Sequence, residues 1–345
     1  MRADDATDAT DATDLTRLIR GYQFTQALYA AARLGLPDLV ADGPQPTTDL
    51  AGRCGVAAPV LARLLRALTT LGVFAEVAPD TFGPTPRSHL LRPGVPGSQR
   101  ADLLLAGADL YPRWGHFLQA LQTGETTAQI AYGMGAWAWR AQHPEMSAIF
   151  DDAMVEHSRA RVAALVAAYD FAPFGTIVDI GGGRGALLAE ILRATPSARG
   201  VLFDQPHVVA GAAAVFAAAG VADRARVAPG DFFAAVSGGG DAYILSMILH
   251  DWDDERSLAI LARCREAMAV SGTLLLVERA LPVEGVDRPW EPFFSDLHML
   301  AGLGGRERSA ADWRALLAAA HFDMTRIVPT TADASLIEAR PTAAA

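Results

Sequence analysis

The sequence predicts an α/β protein: a Rossmann-like, doubly wound parallel sheet in the second half, preceded by a mostly α-helical winged-helix domain. Three observations carry this. After Pro173, short apolar runs alternate with helical patterns. A glycine turn, Gly181-Gly-Gly-Arg-Gly185, joins the first of these runs to the first helix. Upstream, within a domain expected over residues 15–97, residues 47–85 read as helix, turn, helix, hairpin.

Taken in order, residues 1–14 repeat Asp-Ala-Thr, without the cationic and apolar stretches of a secretory signal, and are expected to be a disordered tail. From Leu15 to Val40 apolar residues recur at helical spacing (Leu15, Leu18, Ile19, Tyr22, Leu28), with Pro37 marking a break. Thr47-Thr48-Asp49-Leu50-Ala51 sets hydroxyl caps before a short helix ended by Gly55. A second helix, Pro59 to Leu71, carries Val60, Leu61, Leu64, Leu65 and Leu68 on one side and stops at Gly72. Val73–Val77 and Thr81–Thr85 read as two strands around Pro79-Asp80. Residues 98–170 form a helical linker that encloses the aromatic loop Tyr132-Gly-Met-Gly-Ala-Trp137-Ala-Trp139. Trp114, Trp137 and Trp139 are candidates for a pocket or an interface. In residues 171–345 the expected strands are Thr176–Ile180, Gly200–Phe203, Arg226–Ala228, Ala242–Ser246, Thr273–Val277, Met324–Val328 and Ala334–Ala339, the first followed by helix Ala186–Ala194. Such a sheet binds its ligand at the carboxyl ends of the strands.

Composition removes whole classes of function. The 345 residues are 51% hydrophobic, enough for a sizeable core and too apolar for a disordered chain. No apolar run approaches the ~18–20 residues of a membrane span. Cys54 and Cys264 stand alone, which excludes a disulfide framework and suits the cytoplasm. All 29 basic residues are arginine, and asparagine is also absent, as a GC-rich coding bias would give. A Schiff-base lysine, a Walker-type lysine and an N-glycosylation site are therefore impossible. The net charge of −10 opposes a nucleic-acid partner. The winged unit offers Arg63 and Arg66 against Glu76 and Asp80, a pattern better suited to packing or dimerisation than to DNA.

The glycine turn has two readings. Gly181-x-Gly183-x-x-Ala186 satisfies a dinucleotide fingerprint, with Asp204 near the distance of a ribose-binding acid. The same residues satisfy the acid-x-Gly-x-Gly-x-Gly pattern of S-adenosylmethionine sites. Asp179, Asp204 and Asp231 at successive strand ends make an acidic rim, which favours a cationic sulfonium over a pyrophosphate.

At Leu249-His250-Asp251-Trp252-Asp253-Asp254-Glu255 the pattern becomes specific. Together with Ile177–Gly185, Phe203-Asp204-Gln205-Pro206-His207-Val208, Gly230-Asp231-Phe232-Phe233, Gly272–Pro282 and Gly304-Gly305-Arg306-Glu307-Arg308-Ser309, it resembles the caffeate/polyketide type of small-molecule O-methyltransferase, known from plants and actinobacteria. The winged helix and Phe150-Asp-Asp-Ala-Met154-Val-Glu-His157-Ser158 match as well. The resemblance implies a Rossmann-like methyltransferase domain behind a winged-helix dimerisation domain. It further implies a homodimer, S-adenosyl-L-methionine as cofactor with S-adenosyl-L-homocysteine as product, and a hydroxylated aromatic or polyketide acceptor of antibiotic-like metabolism. Gly181, Gly183 and Asp179 would then lie at the methionine part of the donor, Asp204 at the ribose, and Asp231 and Phe232 at the adenine. His250 would be the catalytic base, supported by Glu278 and Glu307. Phe150, Met154, His157, Asp251, Trp252 and Met299 would line the acceptor site. Ser246 stands where plant enzymes carry a donor-contacting lysine.

The residue types suit the chemistry. A phenol of pKa near 10 is a poor nucleophile when protonated, and an imidazole can take its proton as the oxygen attacks. The acids after His250 begin a helix and show no ligand spacing, so no metal is expected. Three alternatives remain at this stage: a same-fold decarboxylase or hydroxylase, an NAD-type oxidoreductase, and a winged-helix regulator.

Overall fold

A computed structural model describes residues 3–282 and 289–342. The chain divides into two compact units, one of residues up to Gly115 with Arg140–Glu156, the other of His116–Trp139 with the chain from His157 onward. The segment 98–170 is thus shared between the two units.

In the first unit, the tail expected to be disordered is helical, Ala3–Ile19. Alanine is the strongest helix former, and its recurrence here supports a helix whose residues 11–19 are all exposed. Helices Gly21–Arg33 and Leu36–Leu39 follow, separated by Gly35 at φ +68°. Pro37 opens the shorter one rather than ending the longer, because a proline at N1 or N2 removes no helical hydrogen bond. The winged unit forms as expected, with helices Thr47–Cys54 and Ala58–Thr69 and a small sheet of β1 (Gln45–Pro46), β2 (Ala75–Ala78) and β3 (Thr81–Gly83) in the order β1-β3-β2. Leu61, Leu65 and Leu68, at i, i+4 and i+7, pack with Leu36, Leu50, Phe74 and Phe82. Val60 falls off that stripe and is exposed.

The second unit is built on seven strands. They are β4 (Thr176–Ile180), β5 (Arg199–Asp204), β6 (Ala225–Pro229), β7 (Ala242–Ser246), β8 (Thr273–Glu278), β11 (Phe322–Pro329) and β12 (Ser335–Pro341), with the two-residue strands β9 (Ala280–Leu281) and β10 (Arg308–Ser309) paired apart from the sheet. The order is β11-β12-β8-β7-β4-β5-β6. Every expected strand is present, but the sheet is mixed: β12 runs antiparallel to both β8 and β11. The physical reason is length. Only residues 330–334 join β11 to β12, and a parallel crossover needs a dozen or more. Side chains alternate between two covered faces, Ile177, Ile244 and Leu275 on one, Val178, Tyr243, Leu274 and Leu276 on the other. The expected aromatic loop is largely helical. Tyr132 ends helix Thr127–Tyr132, Trp137 and Trp139 lie on helix Ala136–Ala141, and Trp139 stacks on Tyr132 at 4.4 Å.

Candidate active site

Four parallel strands, β7, β4, β5 and β6, end at one edge and bring the sequence-predicted donor residues together. The turn after β4 places Gly181, Gly183 and Gly185 at φ +68°, +63° and +83°, which only glycine adopts without strain. A Cβ at Gly181 would meet Ile248 at 2.6 Å and one at Gly185 would meet Phe216 at 2.7 Å, whereas Gly183 has nothing within 4 Å. The turn is therefore packed from behind and open at Gly183. Asp204, at the end of β5, accepts from Gly183 N–H (2.9 Å) and Gln205 N–H (2.6 Å). Burial raises its pKa, and these two N–H groups oppose the rise. Asp231 accepts from the N–H of Phe233 at 2.9 Å, and the rings of Phe232, Phe233 and Trp252 meet edge to face at 4.9–6.3 Å. Ser246 ends β7, and Met247 after it turns the chain through φ +56°, with its N–H bonded to Val277 O. An open glycine turn, a carboxylate at its edge and an aromatic wall fit a nucleoside donor.

Asp179 departs from the expected rim. It lies wholly buried on β4 beneath the turn, so close that a Cβ on Gly182 would collide with its carboxyl. Neither oxygen has a hydrogen-bond partner among the described residues. Burial, with the Asp204 charge nearby, pushes it up to about 7. Both faces of this strand are covered, so the aspartate is buried whichever way it points, and the rim falls to Asp204 and Asp231.

The expected catalytic residues converge from three elements. His250 sits on a 3₁₀ turn, Leu249–Asp251, only 6% exposed. Its Nδ1 lies 3.3 Å from Glu307 Oε1 and 3.9 Å from Glu278 Oε2, while Nε2 lies 3.3 Å from Asp251 Oδ1. Glu278 ends β8 and accepts from the N–H groups of Ile248 (3.2 Å) and Leu249 (2.9 Å), tying the turn to the sheet. Burial alone would lower the histidine pKa. The charge of Glu278, the hydrogen bond to Glu307 and the charge of Asp251 outweigh it and raise the group to about 9. Burial lifts Glu278 to about 7 against the pull of the imidazolium. For Glu307 burial also raises, but hydrogen bonding to His250 and Ser295 brings the pKa below its ordinary value. Met299 is buried on helix Trp290–Gly302. Phe150, Met154 and His157 all lie on helix Pro144–Ala168, the first two in the first unit and His157 in the second. The guanidinium of Arg140 stacks 3.9 Å over the Phe150 ring.

Sequence reasoning missed Arg308. It is fully buried and donates to the carbonyls of Leu249 (3.0 Å) and Trp252 (3.1 Å), to Ser257 Oγ (3.2 Å) and to Asp254 (2.7 Å). It thus fixes both ends of the turn that presents His250. Gly305 is required beside it, because a Cβ there would collide with the backbone of His250 and Asp251. The matched run around Glu307 was the available signal, though nothing in it separates Arg308 from Arg306.

Fold and site together define an S-adenosylmethionine-dependent methyltransferase. Comparison with known proteins narrows this. Residues 114–323 match the O-methyltransferase domain, and residues 16–93 match the O-methyltransferase dimerisation domain. The chain belongs to that O-methyltransferase family. It is 48% identical to phenazine O-methyltransferase PhzM of Lysobacter antibioticus, over 94% of each chain. It is 42% identical to O-demethylpuromycin-O-methyltransferase of Streptomyces alboniger, over 94% of this chain and 88% of that one. Among solved structures it resembles NcsB1, an O-methyltransferase from neocarzinostatin biosynthesis crystallised with S-adenosylmethionine and 2-hydroxy-5-methyl naphthoic acid (TM-score 0.82, 31% identity, 92% of this chain and 96% of that chain). Among the described residues no helix is long and apolar enough to cross a membrane.

Proposed function

We propose that this enzyme methylates a phenolic hydroxyl of an aromatic or polyketide-type small molecule, with His250 as general base. The observation that carries the base is the buried imidazole whose Nδ1 is held by Glu307 at 3.3 Å with Glu278 behind it. The aromatic substrates named for the relatives support the acceptor class. When bound, the donor supplies an electrophilic methyl group on a sulfonium. Gly181, Gly183, Asp204, Asp231, Phe232 and Ser246 would hold it, with Asp179 supporting the turn from beneath. Nδ1–H donates to Glu307, which leaves Nε2 to receive the hydroxyl proton, and Asp251 beside Nε2 can orient that hydroxyl. Glu278 and Glu307 then stabilise the imidazolium that forms. Within the second unit, His157, Trp252 and Met299 are proposed to line the acceptor site. The proposal assigns no metal ion and reads the 3.3 Å approach of His250 to Glu307 as a hydrogen bond, although His250, Glu278 and Glu307 bring potential ligand atoms within 4.8 Å of one another.

The winged unit is proposed to serve a homodimer rather than nucleic acid. Arg66 of its second helix is already paired with Asp80 at 2.6 Å and Glu76 at 3.5 Å, which removes half of that helix's positive charge.

The test is incubation with donor and a panel of hydroxylated aromatics, read by mass spectrometry for a methyl adduct. The His250→Ala variant is expected to lose about 10²–10⁴ in kcat with donor affinity unchanged. With the imidazole raised to about 9, wild-type kcat is expected to climb roughly tenfold per pH unit from pH 7 towards pH 9. A decarboxylated or hydroxylated product without a methyl adduct would transfer the assignment to those reactions. A near-wild-type profile for the alanine variant would remove the base.

A further inference from the structure

Arg279 follows Glu278 directly out of β8 and joins the buried cluster to a second ion pair. Its Nη1 lies 3.4 Å from Glu307 Oε1, the oxygen that also faces His250, and 3.2 Å from Ser295 Oγ. On the other side its Nε (3.1 Å) and Nη2 (2.5 Å) both donate to Asp333 Oδ2 in the β11–β12 turn. Arg161 grips the same carboxylate from the opposite side, Nε to Oδ1 at 3.2 Å and Nη2 to Oδ2 at 3.0 Å. A carboxylate between two guanidiniums is held far below its ordinary range, and Asp333 falls to about 2 although burial opposes this. The guanidinium of Arg279 is therefore clamped in place, and it cannot lose its charge.

We propose that Arg279 is a positioning residue for the reaction described above, holding Glu307 by its shared oxygen and thereby setting how readily His250 gives up its proton. This rests on the base assignment. Around His250 stand Glu278 from β8, Asp251 from its own turn and Glu307 from the segment before β10; around Glu307 stand His250, Arg279 and Ser295, with Asp296 accepting the Glu307 N–H at 2.8 Å. Glu278, Asp251 and Glu307 each favour the charged imidazole. Arg279 is the fixed cation that offsets them, so that neutral imidazole is reached at a lower pH than the carboxylates alone would allow. His250 Nδ1 and Arg279 Nη1 flank the same Glu307 oxygen at 3.3 Å and 3.4 Å, and removing the Arg279 charge should tighten the proton on His250 by about one pH unit.

The experiment follows the His250 imidazole directly, by NMR titration of histidine-labelled protein in wild type and Arg279→Met, with His250→Gln for assignment. The His250 midpoint is expected to rise by about one unit in Arg279→Met, and by less in Arg279→Lys, which keeps the charge without the fork. The rising limb of kcat against pH should move with it, and the two rates should converge at high pH. Binding of S-adenosylhomocysteine by calorimetry should be unchanged. Should the methionine variant fail to fold, Arg279→Gln carries the same expectation. An unmoved midpoint overturns the inference, as does a rate lowered by one factor at every pH. A midpoint that moves while turnover ignores it in both proteins leaves the coupling standing and removes His250 as base.

Discussion

Replacing Asp179 with asparagine should make the donor-free protein more stable at neutral pH, which is unusual for a change in a fully buried interior strand. Asp179 is fully buried with no hydrogen-bond partner among the described residues, and burial raises it from 3.8 to about 7. An acid whose folded pKa lies above its unfolded value takes up a proton on folding. Its penalty is absent below about pH 4, grows as pH rises, and is complete above about pH 7. A shift of roughly three units corresponds to at most about 4 kcal/mol, since Asp204 shares the interaction. Asparagine has the same shape and never ionises. The variant should melt above wild type by about 4–8 °C at pH 8 and by only about 1–2 °C at pH 4.5, on the scale of about 2 °C per kcal/mol for a chain of this size. Differential scanning fluorimetry across that range reads the difference. A gap that stays constant with pH, or a variant less stable at pH 8, would refute the placement of an ionised carboxylate beneath the turn.

Three further outcomes follow from the geometry. Asp204→Ala removes the acceptor for the Gly183 N–H and should weaken donor binding in calorimetry by about 1–3 kcal/mol; undiminished affinity would take Asp204 out of the site. Arg308→Met strips donors from the buried Leu249 O, Trp252 O and Ser257 Oγ and leaves Asp254 with Arg306 alone; we expect a loss of about 2–4 kcal/mol, no rescue by lysine, and reduced turnover, with a melting temperature near wild type counting against it. Leu15, Leu18, Ile19 and Tyr22, at i, i+3, i+4 and i+7, are all more than half exposed, so light scattering at micromolar concentration should show a dimer and Leu18→Glu should dissociate it; a monomeric wild type would reject the dimer.

Much of the fold was legible in the sequence because it rests on local signals. Seven apolar runs bounded by turns announced the seven strands, and Gly72 and Gly55 announced helix ends, each at a positive φ only glycine takes easily. The helical tail was also locally encoded, in its alanines, but low hydrophobicity concealed it. The reversed β12 could have been read from the short link at residues 330–334. That the residues proposed for the donor gather at one edge was legible for a topological reason: parallel strands deliver their carboxyl ends to one edge whatever the side chains do.

What the sequence by itself determined was therefore periodicity, turn chemistry and the presence of His250, Glu278 and Glu307 as residue types. Only tertiary structure decided their environment. Arg306 and Arg308 are indistinguishable in the chain, yet one side chain is nearly half exposed and the other is buried against the carbonyls that hold the His250 turn. Asp179 stands next to last on β4 and Asp204 last on β5, yet one is sealed beneath the glycine turn and the other bonds it from the rim. Arg279 meets Asp333 across 54 positions and Glu307 across 28, and neither distance can be read along the chain. Burial and charge pairing depend on which elements pack together, a sum of many weak, long-range contacts that no single stretch of sequence contains.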